Sequence, residues 1–283
     1  MASPCEILLR SLDHDFCKKI AKIATQETVR IEDKFSRYIK DNLVDQMNKS
    51  FGLPVEIDDE TYQLLEYARQ LYDLSDGMFD ITSGVLRKLW TYANTSRPPS
   101  DQQILSLIEY IGFNKIDYKR TSFTMPKEME IDFGGIGKEY AVDQVCNKIR
   151  KICQHENCGF LVNFGGDIAA ESFSSKDPEW IVGVEETHNR KTKLNRDHSV
   201  IRIKHGCVAT SGNSKRFIQF KGKRYGHLLN PKTGYPIEGA PMSITAFANS
   251  CVLAGSFSSL AMLHGAQAES FLQEQNVDYI CNW

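Results

Sequence analysis

Four clusters of the sequence combine glycine with carboxylate, hydroxyl or cationic side chains. They are residues 76–84 (DGMFDITSG), 131–143 (IDFGGIGKEYAVD), 162–168 (VNFGGDI), and 209–213 with 225–236 (ATSGN and YGHLLNPKTGYP). Each cluster is a weak signal by itself. Together they supply many backbone donors, Lys138, His227 and several carboxylates, a set that suits a dinucleotide with its pyrophosphate and a hard cation beside it.

The second cluster points most clearly to an anion. A predicted strand ends there in a glycine-rich turn, and the turn opens a helix that carries Lys138. Glycines let backbone N–H groups approach an anion, and a helix N-terminus adds positive potential. The pattern matches neither the P-loop nor the dinucleotide fingerprint. The alternative interpretation is a tight turn with a solvated lysine.

The other three clusters also keep a functional and a structural interpretation. Residues 76–84 can bind a polyol chain or cap the next helix. Residues 162–168 can bring backbone close to a flat ring or a sugar, or form a β-bulge. His227, near the end of a predicted strand, can act as a general acid or base or donate to a phosphate, although a single histidine is more often structural.

Mixed helices and strands must position these clusters. Helical periodicity of apolar residues predicts three helices. The first covers 13–28, the second begins at a cap formed by Asp58 and Asp59, and the third covers 138–153. Predicted strands cover 5–9, 159–164, 180–184, 200–204, 217–220, 225–229 and 243–247, with a hairpin turn at 221–223. The order is mixed rather than strictly alternating, which indicates an α+β fold.

Composition excludes several classes of protein. The chain has 283 residues, 41% of them hydrophobic and 25% charged, which is ordinary for a globular domain. The net charge of −2 offers no electrostatic basis for binding nucleic acid or a membrane surface. Residues 244–263 are uncharged and long enough to span a bilayer, but Asn249, Gly255 and several serines favour a strand followed by a small-residue helix.

Cysteine usage and the N-terminal residues bear on the cellular compartment. The chain has eight cysteines and enough residues to build a core without disulfides. Glu6 and Arg10 interrupt the N-terminal segment, so it does not look like a secretory signal. We therefore expect a reduced, cytoplasmic protein. Cys146, Cys153 and Cys158 lack the spacing of a zinc knuckle and are interpreted as buried thiols.

The order of the motifs resembles the ApbE-type FAD:protein FMN transferases, a family of flavin-trafficking proteins. The resemblance rests on Phe35-Ser36-Arg37-Tyr38, on Asn48 and on the four clusters in the same order, and it spans about residues 1–265. It implies one domain over residues 1–283, of α+β class and T-fold-like, with mixed and antiparallel sheets packed against helices.

The resemblance also implies a reaction. FAD would lie in a cleft with a divalent metal, Mg²⁺, at its pyrophosphate, and FMN would pass to a Ser or Thr hydroxyl of an acceptor flavoprotein as AMP leaves. Neither nucleic acid nor membrane insertion is expected. Two alternatives stay open: an FAD-binding carrier, store or regulator without transferase activity, and an FAD pyrophosphatase that yields FMN and AMP.

Residue roles follow from the same resemblance. The implied catalytic residues are His227 and Lys138, and the implied metal ligands are Ser259 and the backbone carbonyl of Gly137. The implied cofactor-binding residues are Ser36, Tyr38, Asn48, Asp76, Gly77, Phe79, Thr82, Gly135, Lys138, Asp143, Gly166, Asp167, Ser211, Gly212, His227 and Thr233.

The chain departs from the family pattern at the metal. Gly255 stands where the family places a metal-binding aspartate, and Glu139 stands in place of a glycine. The loss of the carboxylate at 255 leaves three possibilities: a metal held by Ser259, a carbonyl, phosphates and water; a metal held by a recruited carboxylate such as Glu139; or no metal. We expect from the sequence that Gly255→Asp raises metal-dependent activity.

Overall fold

The structure is a computed structural model. It describes residues 3–92, 97–184, 200–213 and 217–283, together with the backbone of 190–192. The helices of these residues are α1 (His14–Phe35), α2 (Leu43–Asn48), α3 (Asp59–Leu74), α4 (Asp101–Ile108), α5 (Gly137–His155), α6 (Cys251–Leu263) and α7 (Ala268–Glu274). Short 3-10 segments include Ile81–Lys88 and Phe133–Gly135.

The strands of the described residues form a mainly antiparallel system. They are β1 (Cys5–Leu9), β2 (Val55–Glu56), β3 (Asp117–Lys119), β4 (Ser122–Thr124), β5 (Phe160–Phe164), β6 (Asp167–Glu171), β7 (Trp180–Gly183), β8 (Arg190–Thr192), β9 (Val200–Ile203), β10 (Gly206–Gly212), β11 (Phe217–Phe220), β12 (Lys223–Gly226), β13 (Ser243–Ala248) and β14 (Tyr279–Asn282).

Local chemistry sets the starts of the helices. Asp13 accepts hydrogen bonds from the first backbone N–H groups of α1, and Asp58 does the same for α3. The apolar stripe of α1 continues through Ile31 to Phe35, so this helix is longer than the predicted 13–28. The cap predicted at Asp58 and the helix start predicted at Asp13 are therefore confirmed, whereas the C-terminal end of α1 was placed too early.

The main sheet carries α5 and α6 on one face. Within the described residues its strand order is β1-β5-β6-β10-β13-β14-β8, and every neighbouring pair is antiparallel. Helix α5 contacts β5 and β6, α6 contacts β10 and β13, and the two helices contact each other. Val162 faces the core under these helices, whereas its neighbour Leu161 faces a second core on the other side of the sheet.

A third core lies around Trp90. It joins the 81–88 segment through Val85 and Leu86, α4 through Ile104, and the β11–β12 hairpin through Ile218. Trp90 is fully buried and its indole N–H donates to the carbonyl of Gly234 at 2.8 Å. This core carries the hairpin that precedes His227.

The α+β class and the antiparallel sheets predicted from the sequence are confirmed. One strand was placed wrongly: residues 225–229 were predicted as a strand, but β12 spans Lys223–Gly226. It begins two residues earlier because the hairpin turn takes only Lys221 and Gly222. The uncharged stretch 244–263 is β13 followed by α6, as predicted. A search of the described residues finds no helix with the length and apolarity needed to cross a membrane.

Candidate active site

A buried ion pair joins the second and third sequence clusters. Lys138, in the first turn of α5, places Nζ 2.5 Å from Oδ2 of Asp167, the first residue of β6. Asp167 is only 1% exposed, and its Oδ1 also accepts from the backbone N–H of Thr210 at 3.4 Å. Burial lowers the pKa of Lys138, but the charges of Asp167 and Glu139, together with the hydrogen bond to Asp167, outweigh burial and raise the pKa overall. Lys138 therefore stays a cation at the start of α5.

A second buried carboxylate adjoins this pair. Glu139 is 8% exposed, and its Oε2 has no hydrogen-bond partner among the described residues. Burial, followed by the charge of Asp167, raises the pKa of Glu139. Burial also raises the pKa of Asp167 despite the attraction of Lys138. Two carboxyls and one ammonium therefore share a desolvated space.

Gly255 provides the space for Glu139. A Cβ atom added at Gly255 would lie 2.5 Å from Cγ and 3.1 Å from Cδ of Glu139. The volume that a side chain at position 255 needs is thus already filled by the glutamate from α5. Gly255→Asp, which the sequence predicts to raise metal-dependent activity, would therefore also force Glu139 to move, because the new side chain would collide with it.

Serine hydroxyls from β10 and α6 meet beside these carboxylates. Ser211 Oγ lies 2.9 Å from Ser258 Oγ and 2.9 Å from Ser259 Oγ. Ser258 also donates to the carbonyl of Gly255 at 3.0 Å. The fourth sequence cluster and helix α6 thus lie next to the carboxylates of the second and third clusters.

The oxygen atoms here suit a hard cation. No set of three or more His, Cys, Asp or Glu side chains in the described part of the chain is arranged to hold a metal ion. A cation would therefore have to combine a carboxylate with hydroxyl, carbonyl or substrate oxygens, a mixture that Mg²⁺ accepts. Gly137, the first residue of α5, and Ser259, on α6, are both half-buried near this point.

The three cysteines at 146, 153 and 158, with the nearby His155, are not arranged as a metal site in the described residues. Cys146, Cys153 and Cys158 are buried free thiols. The side chain of His155 is 86% exposed and contacts Glu156. The interpretation of these cysteines as core residues is therefore supported.

Two arginines and an exposed tyrosine flank the glycine-rich turn. Asp132 accepts from the backbone N–H of Gly134 at 2.9 Å and forms ion pairs with Arg87 at 3.0 Å and Arg37 at 3.4 Å. Arg87 also donates to the hydroxyl of Tyr38 at 3.1 Å, and Tyr38 is 72% exposed. Sequence reasoning missed Arg87, which carries no local signal, whereas Arg37 lies inside the Phe35–Tyr38 motif and Asp132 inside the second cluster.

Several predicted cofactor residues hold the turn in place. Asn48 donates to the carbonyl of Ile131 at 3.1 Å and accepts from its N–H at 2.7 Å, directly before the turn. The ring of Phe79 packs on Gly135, where an added Cβ would come within 3.0 Å of it. Ser36 ends α1, and its hydroxyl accepts from the N–H of Tyr38 at 3.3 Å.

The structure places Thr82 and Asp143 in internal contacts. Thr82 is fully buried, and its hydroxyl donates to Asp80 at 2.6 Å and accepts from the N–H of Gly112 at 2.8 Å. Both carboxylate oxygens of Asp143 accept from the first N–H groups of α6, at Cys251 (2.8 Å) and Val252 (2.9 Å). Asp143 also lines a cavity of about 370 Å³, and the cofactor roles that the resemblance implies for both residues stay predictions.

Three of the glycines predicted to bind the cofactor are also required by the local backbone geometry. Gly166 and Gly165 form a two-residue loop between β5 and β6, both with positive φ, so this segment is a tight hairpin rather than a bulge. Gly212 lies where β10 and β13 approach closely, and an added Cβ would be 2.8 Å from the carbonyl of Met242. Gly77, with φ of +75°, turns the chain after α3.

His227 lies just beyond the end of β12 and follows Gly226, which lines a cavity. Its ring meets Tyr92 edge-on with centroids 6.4 Å apart, and the Tyr92 hydroxyl donates to the carbonyl of Gly226 at 2.7 Å. A cavity of about 480 Å³ adjoins this point and is lined by Asn213, Gly226 and Tyr235, among others. Asn213 follows Ser211 by two residues, so β10 connects the His227 region to the serine cluster.

The first and fourth clusters also meet at the surface. Lys232 Nζ lies 2.6 Å from Oδ2 of the exposed Asp76. Thr233 is in the adjoining turn, where its N–H donates to the carbonyl of Asn230 at 3.3 Å. This salt bridge brings residues 76–84 next to residues 225–236.

Comparison with known proteins identifies the class. The model of the ApbE family matches residues 1–281, so the chain belongs to the ApbE family. Among curated proteins, the FAD:protein FMN transferase of Haemophilus influenzae is 27% identical over 256 residues, covering 87% of this chain and 72% of that protein. The transferase of the same name from Vibrio cholerae is 24% identical over 251 residues, covering 87% and 73%.

Solved structures agree on the fold. The ApbE protein of Thermotoga maritima superposes with a TM-score of 0.83 at 27% identity, over 99% of this chain and 90% of that one. The apo form of the Pseudomonas stutzeri flavinyl transferase ApbE has a TM-score of 0.81 at 21% identity, over 98% and 90%. The second likeness concerns the fold alone.

Proposed function

We propose that this protein is an FAD:protein FMN transferase, which moves FMN from FAD to a Ser or Thr hydroxyl of an acceptor protein and releases AMP. One observation carries the proposal: motifs far apart in the chain converge where Lys138 pairs with Asp167 and Ser211 contacts Ser259. Membership of the ApbE family and the names of the curated relatives support the same activity.

The proposed reaction exchanges the phosphoanhydride bond of FAD for a phosphodiester bond to the acceptor. The acceptor hydroxyl oxygen bonds to the phosphorus of the FMN half of FAD, and the bond from that phosphorus to the bridging oxygen breaks. AMP leaves with that oxygen, and the hydroxyl proton passes to a base. Phosphoryl transfer of this kind depends on positioning and on neutralised charge rather than on a covalent enzyme intermediate.

Lys138 and His227 have separate proposed roles. Lys138, at the positive end of α5, would stabilise negative charge on the pyrophosphate. His227, next to the cavity-lining Gly226, would take the acceptor proton or donate to the departing phosphate. The exposed ring of Tyr38 would stack on the flat flavin, since its hydroxyl is already oriented by Arg87.

A divalent cation fits the oxygen donors of the site. We assign its protein ligands among Ser259, the carbonyl of Gly137 and a nearby carboxylate, with phosphate oxygens of FAD completing the shell. Such a cation, taken here as Mg²⁺, would neutralise charge that develops on the leaving phosphate.

The proposed setting is the cytoplasm, with FAD and an acceptor flavoprotein as partners. None of the eight cysteines, all of which lie in the described residues, forms a disulfide, and six of them are buried. A chain whose cysteines form no disulfide is typical of a reducing compartment.

Product analysis tests the proposal. The protein is incubated with FAD and Mg²⁺, with and without an acceptor. The acceptor is the apo form of a flavoprotein whose FMN is normally attached to a threonine. We expect AMP release by chromatography and an FMN adduct on the acceptor by intact mass. His227→Gln should reduce both about 100-fold or more while FAD still binds.

Other products would point to the other activities. FMN and AMP formed equally without acceptor would indicate a pyrophosphatase, and FAD binding without turnover would indicate a carrier. Failure to bind FAD at micromolar concentration would contradict all three.

A further inference from the structure

We propose that Glu139 supplies the carboxylate ligand of the cation site, from α5, and that it occupies the place of a side chain at position 255 on α6. The inference rests on the proposed function, because the cation is needed at the pyrophosphate. It assigns the anionic ligand that no other contact in the site identifies.

The two positions compete for the same space. With an added Cβ at 255 only 2.5 Å from Cγ of Glu139, a side chain at 255 requires either that Glu139 moves or that a shorter residue stands at 139. Glycine inside a helix lowers helix stability by about 1 kcal/mol relative to alanine, so a glycine in the middle of α6 needs a structural explanation. The explanation is packing, because the side chain of Glu139 fills the space where a side chain at 255 would lie.

The carboxylate of Glu139 also faces the right groups. Gly255 and Ser259 are four residues apart on α6, so they share one face of the helix. The carbonyl of Gly255 accepts from Ser258, whose hydroxyl meets Ser211. Glu139 thus reaches the side of α6 that carries the serine hydroxyls, with Oε2 lacking a hydrogen-bond partner within the described residues.

Charge balance favours a cation there. When Glu139 and Asp167 are both ionised, Lys138 neutralises only one of them, since it pairs with Asp167 at 2.5 Å. Burying an uncompensated carboxylate is costly unless a cation or a proton accompanies it. A divalent cation would balance Glu139 and leave positive charge for the phosphates.

Manganese binding tests the assignment directly. Mn²⁺ is titrated into the whole protein, with and without FAD, and free Mn²⁺ is followed by its electron paramagnetic resonance signal. Glu139→Gln keeps the size of the side chain and removes its charge, so we expect the Kd for Mn²⁺ to rise about tenfold or more. Glu56→Gln, an exposed carboxylate on β2, is the matched control and should bind as the native protein does.

A double exchange keeps the test independent of folding. Glu139→Gly combined with Gly255→Asp moves the carboxylate from α5 to α6 and should restore Mn²⁺ binding to within about threefold of native. Thermal melts establish that each variant is folded. Native-like Mn²⁺ affinity in folded Glu139→Gln, or no Mn²⁺ binding by the native protein under either condition, would overturn the assignment.

FAD binding separates this inference from the proposed function. Flavin fluorescence reports FAD affinity in the same samples. If FAD binds and FMN is transferred while Glu139→Gln behaves as native, only the ligand assignment fails. If FAD does not bind at all, the proposed function fails.

Discussion

At the scale of single residues, Glu139 and Gly255 act as one unit. Each looks like an isolated departure from the family pattern, yet the side chain of one fills the space left by the other. Residues in direct contact give mutational effects that do not add. The effect of a change at 255 must therefore depend on what stands at 139.

A double-mutant cycle measures this dependence. Gly255→Ala should lower the free energy of unfolding by about 1–3 kcal/mol in the native background, because the methyl group collides with buried Glu139. In a Glu139→Ala background the same change should stabilise the protein by up to about 1 kcal/mol through helix propensity. Urea denaturation provides both values, and equal effects in the two backgrounds would contradict the steric coupling.

At the scale of elements, Asp143 ties α5 to the start of α6. Its two oxygens accept from Cys251 and Val252 at 2.8 and 2.9 Å, whereas the N-cap residue Ser250 accepts from Leu253 at 3.3 Å. The orphan N–H groups of α6 are thus satisfied by a side chain from another helix. This contact holds α6, with Gly255 and Ser259, against the carboxylates of the site.

Removal of this cap should destabilise the fold more than removal of Ser250. We expect Asp143→Ala to cost about 1–2 kcal/mol of unfolding free energy, since two short charge-assisted bonds are lost. Ser250→Ala, with one longer bond, is the control on the same helix and should cost less. Urea denaturation and FAD titration are carried out on both. A large loss of FAD affinity with unchanged stability would instead support the cofactor role that the resemblance implies for Asp143.

At the scale of the whole molecule, the site depends on long-range pairing. Strand β1 pairs with β5, and β13 pairs with β14 near the C-terminus. The residues assigned to FAD extend from Ser36 to Thr233, and Ser259 follows on α6. A ligand that contacts so many parts should stabilise the domain as one unit.

Calorimetry can follow this effect. We expect one unfolding transition that moves to higher temperature with FAD, with about 2.7 kcal/mol of stabilisation at a hundred times the Kd. AMP alone should shift the transition less, because it makes only part of the contacts. Two separate transitions, only one of them shifted by FAD, would contradict a single domain.

The sequence alone determined the parts whose cause is local. Strand β1, the N-caps of α1 and α3, and the succession of β13 and α6 follow from hydrophobic periodicity and capping chemistry within a few residues. The family and its motif order also follow, since both are linear properties of the chain.

Tertiary structure alone decided which side chains meet. That Glu139 fills the space at Gly255, that Asp143 caps α6, and that Arg87 pairs with Asp132 depend on how helices and turns distant in sequence pack together. Side-chain direction on one helix is set by its periodicity, but the neighbour that it faces is set by sheet order and helix packing. The contact between Glu139 and Gly255, on which the proposed metal ligand rests, depends on this packing and not on the sequence of either helix alone.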